Sequence, residues 1–361
     1  MPILNKLTNT TSSHNRFAFA DGLRGLAALW VVVFHLSEGH HVDHLRVALP
    51  EIINKVLFDF GSLGVAIFFV LSGFVMAYTV EYKKADSKFS IKFIARRFLR
   101  LTPPYYFAIL FAITFLLLKK FATHEQVELP SANDFLMHLL YLQGSLGIHE
   151  INTIFWTLCI EVQFYITFIF LVFLSDCISN TFKITNARIF IFTSIALASL
   201  PWVFNPDLPA LWNGSFIKYW YGFMAGALVC WAIKGFKLQK YFTFGYVLLI
   251  SAVGLISQYK FAFTVGITAL MLLYAALNNH MNAWLNWKWL QKVGLISYSL
   301  YLVHNPVTGA TANILHRILH EGILTDLVVT ITTLATSIAV AMLMYKFIEM
   351  PSIQLSHKAT N

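Results

Sequence analysis

The sequence predicts an all-α, polytopic integral membrane protein of about ten transmembrane helices, with N- and C-termini cytoplasmic. Three observations predict it. Only 12% of the residues are charged and 58% are hydrophobic, whereas a soluble domain averages about 25% charged. Apolar runs recur from end to end, each long enough to cross a bilayer as a helix. The segments between those runs alternate between rich and poor in Lys and Arg. A large soluble α-protein would need polar helix faces, and most of these runs lack them.

Taken in order, the runs place spans at 17–37, 62–80, 104–121, 154–174, 187–204, 214–233, 243–257, 261–278, 293–315 and 325–348. Only Gln258, Tyr259 and Lys260 join the seventh and eighth, so a re-entrant hairpin is the alternative to two full crossings there. With the N-terminus inside, the cytoplasmic segments hold more than twice as many Lys and Arg as the outer ones, led by Lys83, Lys84, Lys88, Lys92, Arg96, Arg97 and Arg100. The organisation is therefore a cytoplasmic tail at 1–16, a membrane-embedded domain at 17–351 and a cytoplasmic tail at 352–361. The net charge of +9 is scattered between spans. That pattern suits membrane lipids as partners and excludes nucleic acid. The polar N-terminal segment has no apolar h-region, so the first span is expected to be retained rather than cleaved. Cys159, Cys177 and Cys230 are odd in number and widely spaced, and form no disulfide or zinc pattern.

The chemistry-bearing residues gather in five stretches. In the first span Arg24 and His35 fall on nearly one helix face, roughly 16 Å apart, with Asp21 one turn before Arg24 and the small residues Ala27, Ala28 and Val31 between. An ionisable group on a membrane helix costs about 2.5–3.5 kcal/mol near the centre and turns toward the bundle interior or a wet cavity. This face reads as one wall of a narrow polar slot, or as an Arg–Asp packing pair with an interfacial His. In the second span Gly64, Ser72 and Gly73 suit close helix packing, and Ser72 is also a hydrogen-bond donor or nucleophile. Arg96, Arg97 and Arg100 lie on a short cytoplasmic helix running into Pro103 and Pro104. They suit a polyanion or a collar on anionic lipid head groups.

The fourth stretch is FWTLCIEVQFY. Its Glu161 is expected one to two turns inside the outer end of span four, at the depth of His35, where it would orient the imidazole. A hydrogen bond to Gln163 or Tyr165 is the structural alternative. In the fifth, Tyr298, Tyr301, His304 and Asn305 put polar atoms into span nine, with Tyr301 and His304 one turn apart; all four are candidate lining for an acceptor cavity, with interfacial or packing roles as the alternative. The outer loop with Glu38, His40, His41, Asp43 and His44 matches no strong metal spacing, and no metal is expected. FIEMP closes span ten with Glu349 at the cytoplasmic rim beside a basic residue.

These stretches together resemble the acyltransferase 3 family. The matching segments are DGLRGLAALWVVVFH, GVAIFFVLSGF, ARRFLRLTPPYY, FWTLCIEVQFY, ISYSLYLVHNPV and FIEMP, in family order from about Phe17 to Pro351. The resemblance implies a bacterial inner-membrane O-acyltransferase that takes an acyl group, acetyl above all, from cytoplasmic acyl-coenzyme A (acyl-CoA) to a hydroxyl of a glycan or glycolipid. It carries essential roles onto His35 and Arg24 and the Arg-Arg-x-x-Arg motif onto Arg96, Arg97 and Arg100. Together with the residue reading it gives His35 and Glu161 as catalytic, Arg24, Arg96, Arg97 and Arg100 as donor-binding, and Asp21, Ser72, Tyr301 and His304 as slot lining. Members often carry Glu-Glu-Gln-Phe-Tyr where this chain has Glu161-Val162-Gln163-Phe164-Tyr165, so a role needing the second carboxylate is absent here. Some members append a soluble hydrolase-like domain; only about ten residues follow Pro351, so an extracytoplasmic relay would use another protein. The alternative from the same intramembrane charges is a transporter or flippase of a glycan or lipid precursor.

Overall fold

A computed structural model describes residues 17–80, 83–123, 127–184, 187–212, 214–234 and 237–359. The predicted tail at 1–16 lies outside them, as do the last two residues of the tail at 352–361. The described residues form helices and connecting loops, with no strand among them. The ten long helices are α1 (Ala18–Glu38), α2 (Gly64–Val80), α3 (Ser87–Thr123), α4 (Trp156–Phe182), α5 (Ala187–Ala198), α6 (Trp220–Lys234), α7 (Lys237–Ile256), α8 (Lys260–Leu277), α9 (Ser297–Ile318) and α10 (Ile323–Met344).

Nine stretches of described residues are long and apolar enough to cross a membrane, and α9 is not among them. Its 22 residues span about 33 Å, enough for a bilayer, but Tyr298, Tyr301, His304, Asn305 and Arg317 lower its apolarity. The predicted ninth span also breaks at Ile296, between a short helix at Lys288–Leu295 and α9. At α7 and α8 two full-length helices replace the re-entrant alternative, with 20 and 18 residues.

The core is an aromatic seam between α2, α4 and α6. Phe69 stacks on Phe223 at 4.4 Å and Phe164 on the same ring at 4.0 Å. α2 and α6 cross backbone to backbone. A Cβ at Gly73 would stand 1.8 Å from Phe223 O, and one at Gly226 would stand 1.8 Å from Val70 O. Only glycine fits there, so the packing reading of Gly73 holds.

Two departures from the sequence reading set the shape of the site. First, α3 is one helix of 37 residues running straight through Pro103 and Pro104, about 55 Å long. Each proline removes a ladder donor. Close by, the Tyr298 hydroxyl donates to Leu101 O at 2.9 Å. Second, the segment after α3 folds back along it. The Tyr141 hydroxyl reaches Thr102 Oγ1 at 3.3 Å and the Tyr106 hydroxyl reaches Leu139 O at 2.8 Å. Tyr141 stacks on Tyr105 at 4.6 Å. This return carries the start of α4 into the bundle.

At the basic end, Asp176 accepts from Arg188 Nε at 2.7 Å and from Ala85 N at 2.7 Å, while Arg188 donates to Lys83 O at 2.6 Å. This clamp fixes the turn from which α3 and its arginines start. At the far end of α10 a π turn at Tyr345–Glu349 rotates Glu349 inward. Such turns recur at functional sites.

Candidate functional site

Two polar groups form inside the bundle, one deep and one toward the His-rich loop, and α9 contributes to both. The deep group surrounds a narrow cavity lined by Arg24, Ser72, Glu161, Tyr298 and Tyr301, with apolar walls at Val65, Phe68, Phe69 and Leu158. Water can occupy about 40 Å³ of it, roughly three molecules. The helix sequence explains how Arg24 gets there. Gly22 and Gly25 flank it, and added Cβ atoms would meet Leu285 Cβ at 2.5 Å and the Gly294 N at 3.0 Å. The DGLRG motif thus lets Leu285 (at Gly22) and the 288–295 helix (at Gly25) close on α1 while Arg24 lines the cavity.

Ser72 Oγ donates to Glu161 Oε1 at 2.6 Å, and the Tyr165 hydroxyl donates to the same oxygen. Arg97 lies over the Tyr165 ring at 5.5 Å and the Phe93 ring at 5.6 Å. Glu161, Arg24 and Arg100 all stand within electrostatic reach of it. Glu349, 2% exposed, accepts from Ser299 Oγ at 2.5 Å and lies within reach of Arg100 and Arg24. Among these named groups, three guanidiniums face two carboxylates. Arg24 Nε and Arg100 Nε are buried with no hydrogen-bond partner. Each of these two Nε–H groups can therefore still donate to an incoming acceptor. Arg96 is half-buried and does not line the cavity.

The second group centres on His35. Its Nδ1 meets Glu38 Oε2 at 2.6 Å. With Nδ1–H donated to the carboxylate, Nε2 is left as the basic atom. The His304 ring lies 5.1 Å away, centroid to centroid. His304 is fully buried. Its Nδ1–H donates to Tyr301 O at 2.8 Å and Leu300 O at 3.2 Å, and its Nε2 is buried without a partner.

The expected pairing of Glu161 with His35 does not occur. Ser72 sits eight residues from either end of α2, so its partner Glu161 is at mid-height, well below His35. The cause is the folded-back segment before α4: Glu161 is indeed five residues into its helix, but that helix begins inside the bundle. Glu38 takes the place beside His35 instead. Its i,i+3 spacing from His35 is a signal the sequence carried. The slot along Ala27, Ala28 and Val31 is closed. These residues are 0–2% exposed, and a Cβ on Gly64 would stand 2.7 Å from Ala27 O. The open space lies against α2, α4 and α9 instead. Of the predicted lining residues, Ser72 and Tyr301 line the cavity; Asp21 and His304 do not. Glu349 is buried in the arginine cluster rather than at a rim. Tyr298, expected as lining together with Tyr301, also lines the cavity, whereas Asn305 does not; Thr157 and Ser297 were missed, since nothing in their spacing marks them.

The His-rich loop has other uses. His40 meets Asp43 at 3.1 Å, Leu45 N donates to Asp326 Oδ2 at 2.9 Å and His316 Nε2 donates to His41 O at 3.0 Å. Among the described residues no group of three or more His, Cys, Asp or Glu could hold a metal ion.

A family model described as an acyltransferase domain matches residues 17–346. The chain belongs to the acyltransferase 3 family. An O-acetyltransferase by name, from Staphylococcus aureus (strain COL), is 27% identical over 94% of this chain and 58% of its own length. A protein named as an acyltransferase of Streptomyces mycarofaciens is 31% identical over 41% of this chain and 37% of its own length. One named as an acetyltransferase of Acidianus two-tailed virus is 28% identical over 45% of this chain and 42% of its own. The chain thus spans between about a third and three-fifths of the curated relatives it matches. No solved structure matches it.

Proposed function

We propose that this acyltransferase-family protein is an O-acyltransferase of the bacterial inner membrane that moves an acetyl group from acetyl-CoA to a hydroxyl of a glycan or glycolipid. The observation that carries the reading is the two-part site: an anion-seeking arginine cluster at one level and a carboxylate-oriented His35 above it, with a cavity at the lower group. The donor fits the residues present. The unpartnered Nε atoms of Arg24 and Arg100 suit phosphate oxygens. A cavity this narrow admits a thin chain and leaves a nucleotide at the basic mouth, near Arg96.

The residues then divide the chemistry. Arg24, Arg97 and Arg100 hold anionic oxygens, and Glu161 and Glu349 keep the guanidiniums in place. The acceptor oxygen attacks the thioester carbonyl carbon while its proton passes to His35 Nε2. The carbon–sulfur bond breaks, and the departing thiolate takes the proton back from the imidazolium. Ester and free thiol result. Glu38 holds the imidazole in the needed tautomer and balances the charge it acquires. A positioned base of this kind is worth typically about 10²–10⁴-fold in rate. The test is label transfer: the purified protein, given labelled acetyl-CoA and membranes of the producing cells, puts label into the glycan fraction. Passage of glycan across vesicles with no acetyl-CoA consumed would refute it and favour a flippase.

A further inference from the structure

The apolar stretch that carries α2 begins at Glu51, well before α2 itself does at Gly64. α2 starts late because it starts deep. A Cβ at Gly64 would stand 2.7 Å from Ala27 O, and one at Gly61 would stand 2.4 Å from Trp30 O. Ala27 precedes Glu38, the last residue of α1, by about 16 Å along the axis. Residues before Gly64 therefore cover that depth. Val56 O accepts from Trp30 Nε1 at 2.7 Å, and Trp30 lies about 12 Å short of the same end of α1.

At this depth the short helix Glu51–Leu57 is amphipathic. At 100° per residue Ile52, Ile53, Val56 and Leu57 fall within an arc of about 140°, with Glu51, Asn54 and Lys55 opposite. The polar arc is occupied. Lys55 donates to Glu51, and Asn54 Oδ1 accepts from Arg46 Nε at 3.0 Å. Arg46 also donates to Ser37 Oγ at 2.6 Å and to Asp59 Oδ1 at 2.6 Å. One guanidinium thus ties this helix to the end of α1. The apolar arc has no such use. The helix buries none of its residues, and its four apolar side chains are all exposed, Ile52 at 67%.

We infer that this helix is seated in the membrane leaflet at the His35 end of the bundle, with Ile52, Ile53, Val56 and Leu57 among the acyl chains and Glu51, Asn54 and Lys55 toward head groups and water. Two observations name lipid as the occupant. The face continues directly, in one apolar stretch, into the spanning helix α2. It also sits below the end of a spanning helix and is turned away from the bundle, where a hydrocarbon core about 30 Å thick begins. An apolar arc opposed by charges is the pattern of a helix lying in the interface. Through Arg46 the seat anchors Ser37, which stands between His35 and Glu38 in the chain. The inference needs the membrane embedding of the bundle and not the acyl-transfer reading.

Single cysteines carrying an environment-sensitive fluorophore test the seat. Full-length protein with Cys177→Ser, whose other two cysteines are buried, receives Ile52→Cys, Ile53→Cys, Val56→Cys, Glu51→Cys or Ile331→Cys. Ile331 is exposed on α10 and serves as the reference for a lipid-facing span. The vesicles are phosphatidylethanolamine and phosphatidylglycerol with a doxyl quencher on the acyl chains; iodide quenches from water. Doxyl lipid is expected to quench probes at 52, 53 and 56 about threefold more than the probe at 51, and iodide the reverse, as for a face about 5–10 Å into the head-group boundary. Equal doxyl quenching at all four positions overturns the inference. So does protection from both quenchers at 52, 53 and 56, which marks a second copy or another protein on the face. Variants are read when they keep the wild-type size-exclusion peak, and any two of the three apolar positions decide. Absence of doxyl quenching at 331 as well removes the membrane embedding and the seat together; quenching at 331 alone removes the seat only.

Discussion

Glu38→Gln is the perturbation that separates this site from the one the sequence alone suggests. The carboxylate meets His35 Nδ1 at 2.6 Å, yet its side chain is 55% exposed while that of His35 is 11% exposed. A hydrogen bond to a charged group contributes about 1.5–3 kcal/mol. Solvent screening on the exposed side puts this one at the low end, about 1.5 kcal/mol. The pair strengthens as His35 gains its proton, so the contribution falls mainly in the transition state. At about 1.4 kcal/mol per decade, kcat should drop roughly tenfold. CoA affinity should not move, because the arginine cluster is a separate group. Folding should not move either, since little is buried at Glu38. The assay is steady-state label transfer with a thermal melt of the same preparation. Wild-type kcat in Glu38→Gln, with a large kcat loss in well-folded Glu161→Gln, would refute the assignment of Glu38 as the group that orients His35.

Further predictions address the rest of the fold. Arg100→Gln should weaken CoA binding about tenfold, read by equilibrium binding, since it removes one charged donor from the cluster. Gly73→Leu should prevent correct packing, because its Cβ would overlap Phe223 O; size-exclusion profiles in detergent will show loss of the monodisperse peak. Asp176→Asn should lower stability by about 1.5–3 kcal/mol by loosening Arg188, seen as a lower melting temperature. The His41 imidazole is held below its usual range by burial first, then by nearby His316 and His40, against a smaller opposing effect of Asp43. A depressed folded value means the unfolded chain binds the proton more readily. The stability linked to His41 is therefore present above about pH 6.5 and is lost as pH falls below it. Melting temperature should fall from pH 7 to pH 5, and His41→Gln should flatten that slope.

Most of the bundle was legible because hydropathy and charge act over whole helices. Apolar length located nine spans, and even polar α9 was visible from its flanks. The arginine cluster was legible in part: Arg24, Arg97 and Arg100 declared themselves by sitting in or beside apolar runs. What the sequence could not give was height. Glu161 was counted from the predicted start of its helix, but that start depends on how 127–155 folds back along α3, through bonds such as Tyr141 to Thr102 that leave no periodic trace. The helical continuation through Pro103 and Pro104 was hidden as well, since proline in a sequence reads as a helix boundary. The closure of Ala27, Ala28 and Val31 depends on Gly64 of another helix. Small residues alone read equally as a slot or as a packing surface.

The most direct test of the central claim is transfer of labelled acetyl from acetyl-CoA by purified wild-type protein and by His35→Ala, with native membranes as acceptor and a thermal melt of each. The account predicts label in the glycan fraction with wild type, at least a hundredfold less with His35→Ala, and unchanged CoA affinity in both. Transfer by folded His35→Ala at the wild-type rate would contradict it.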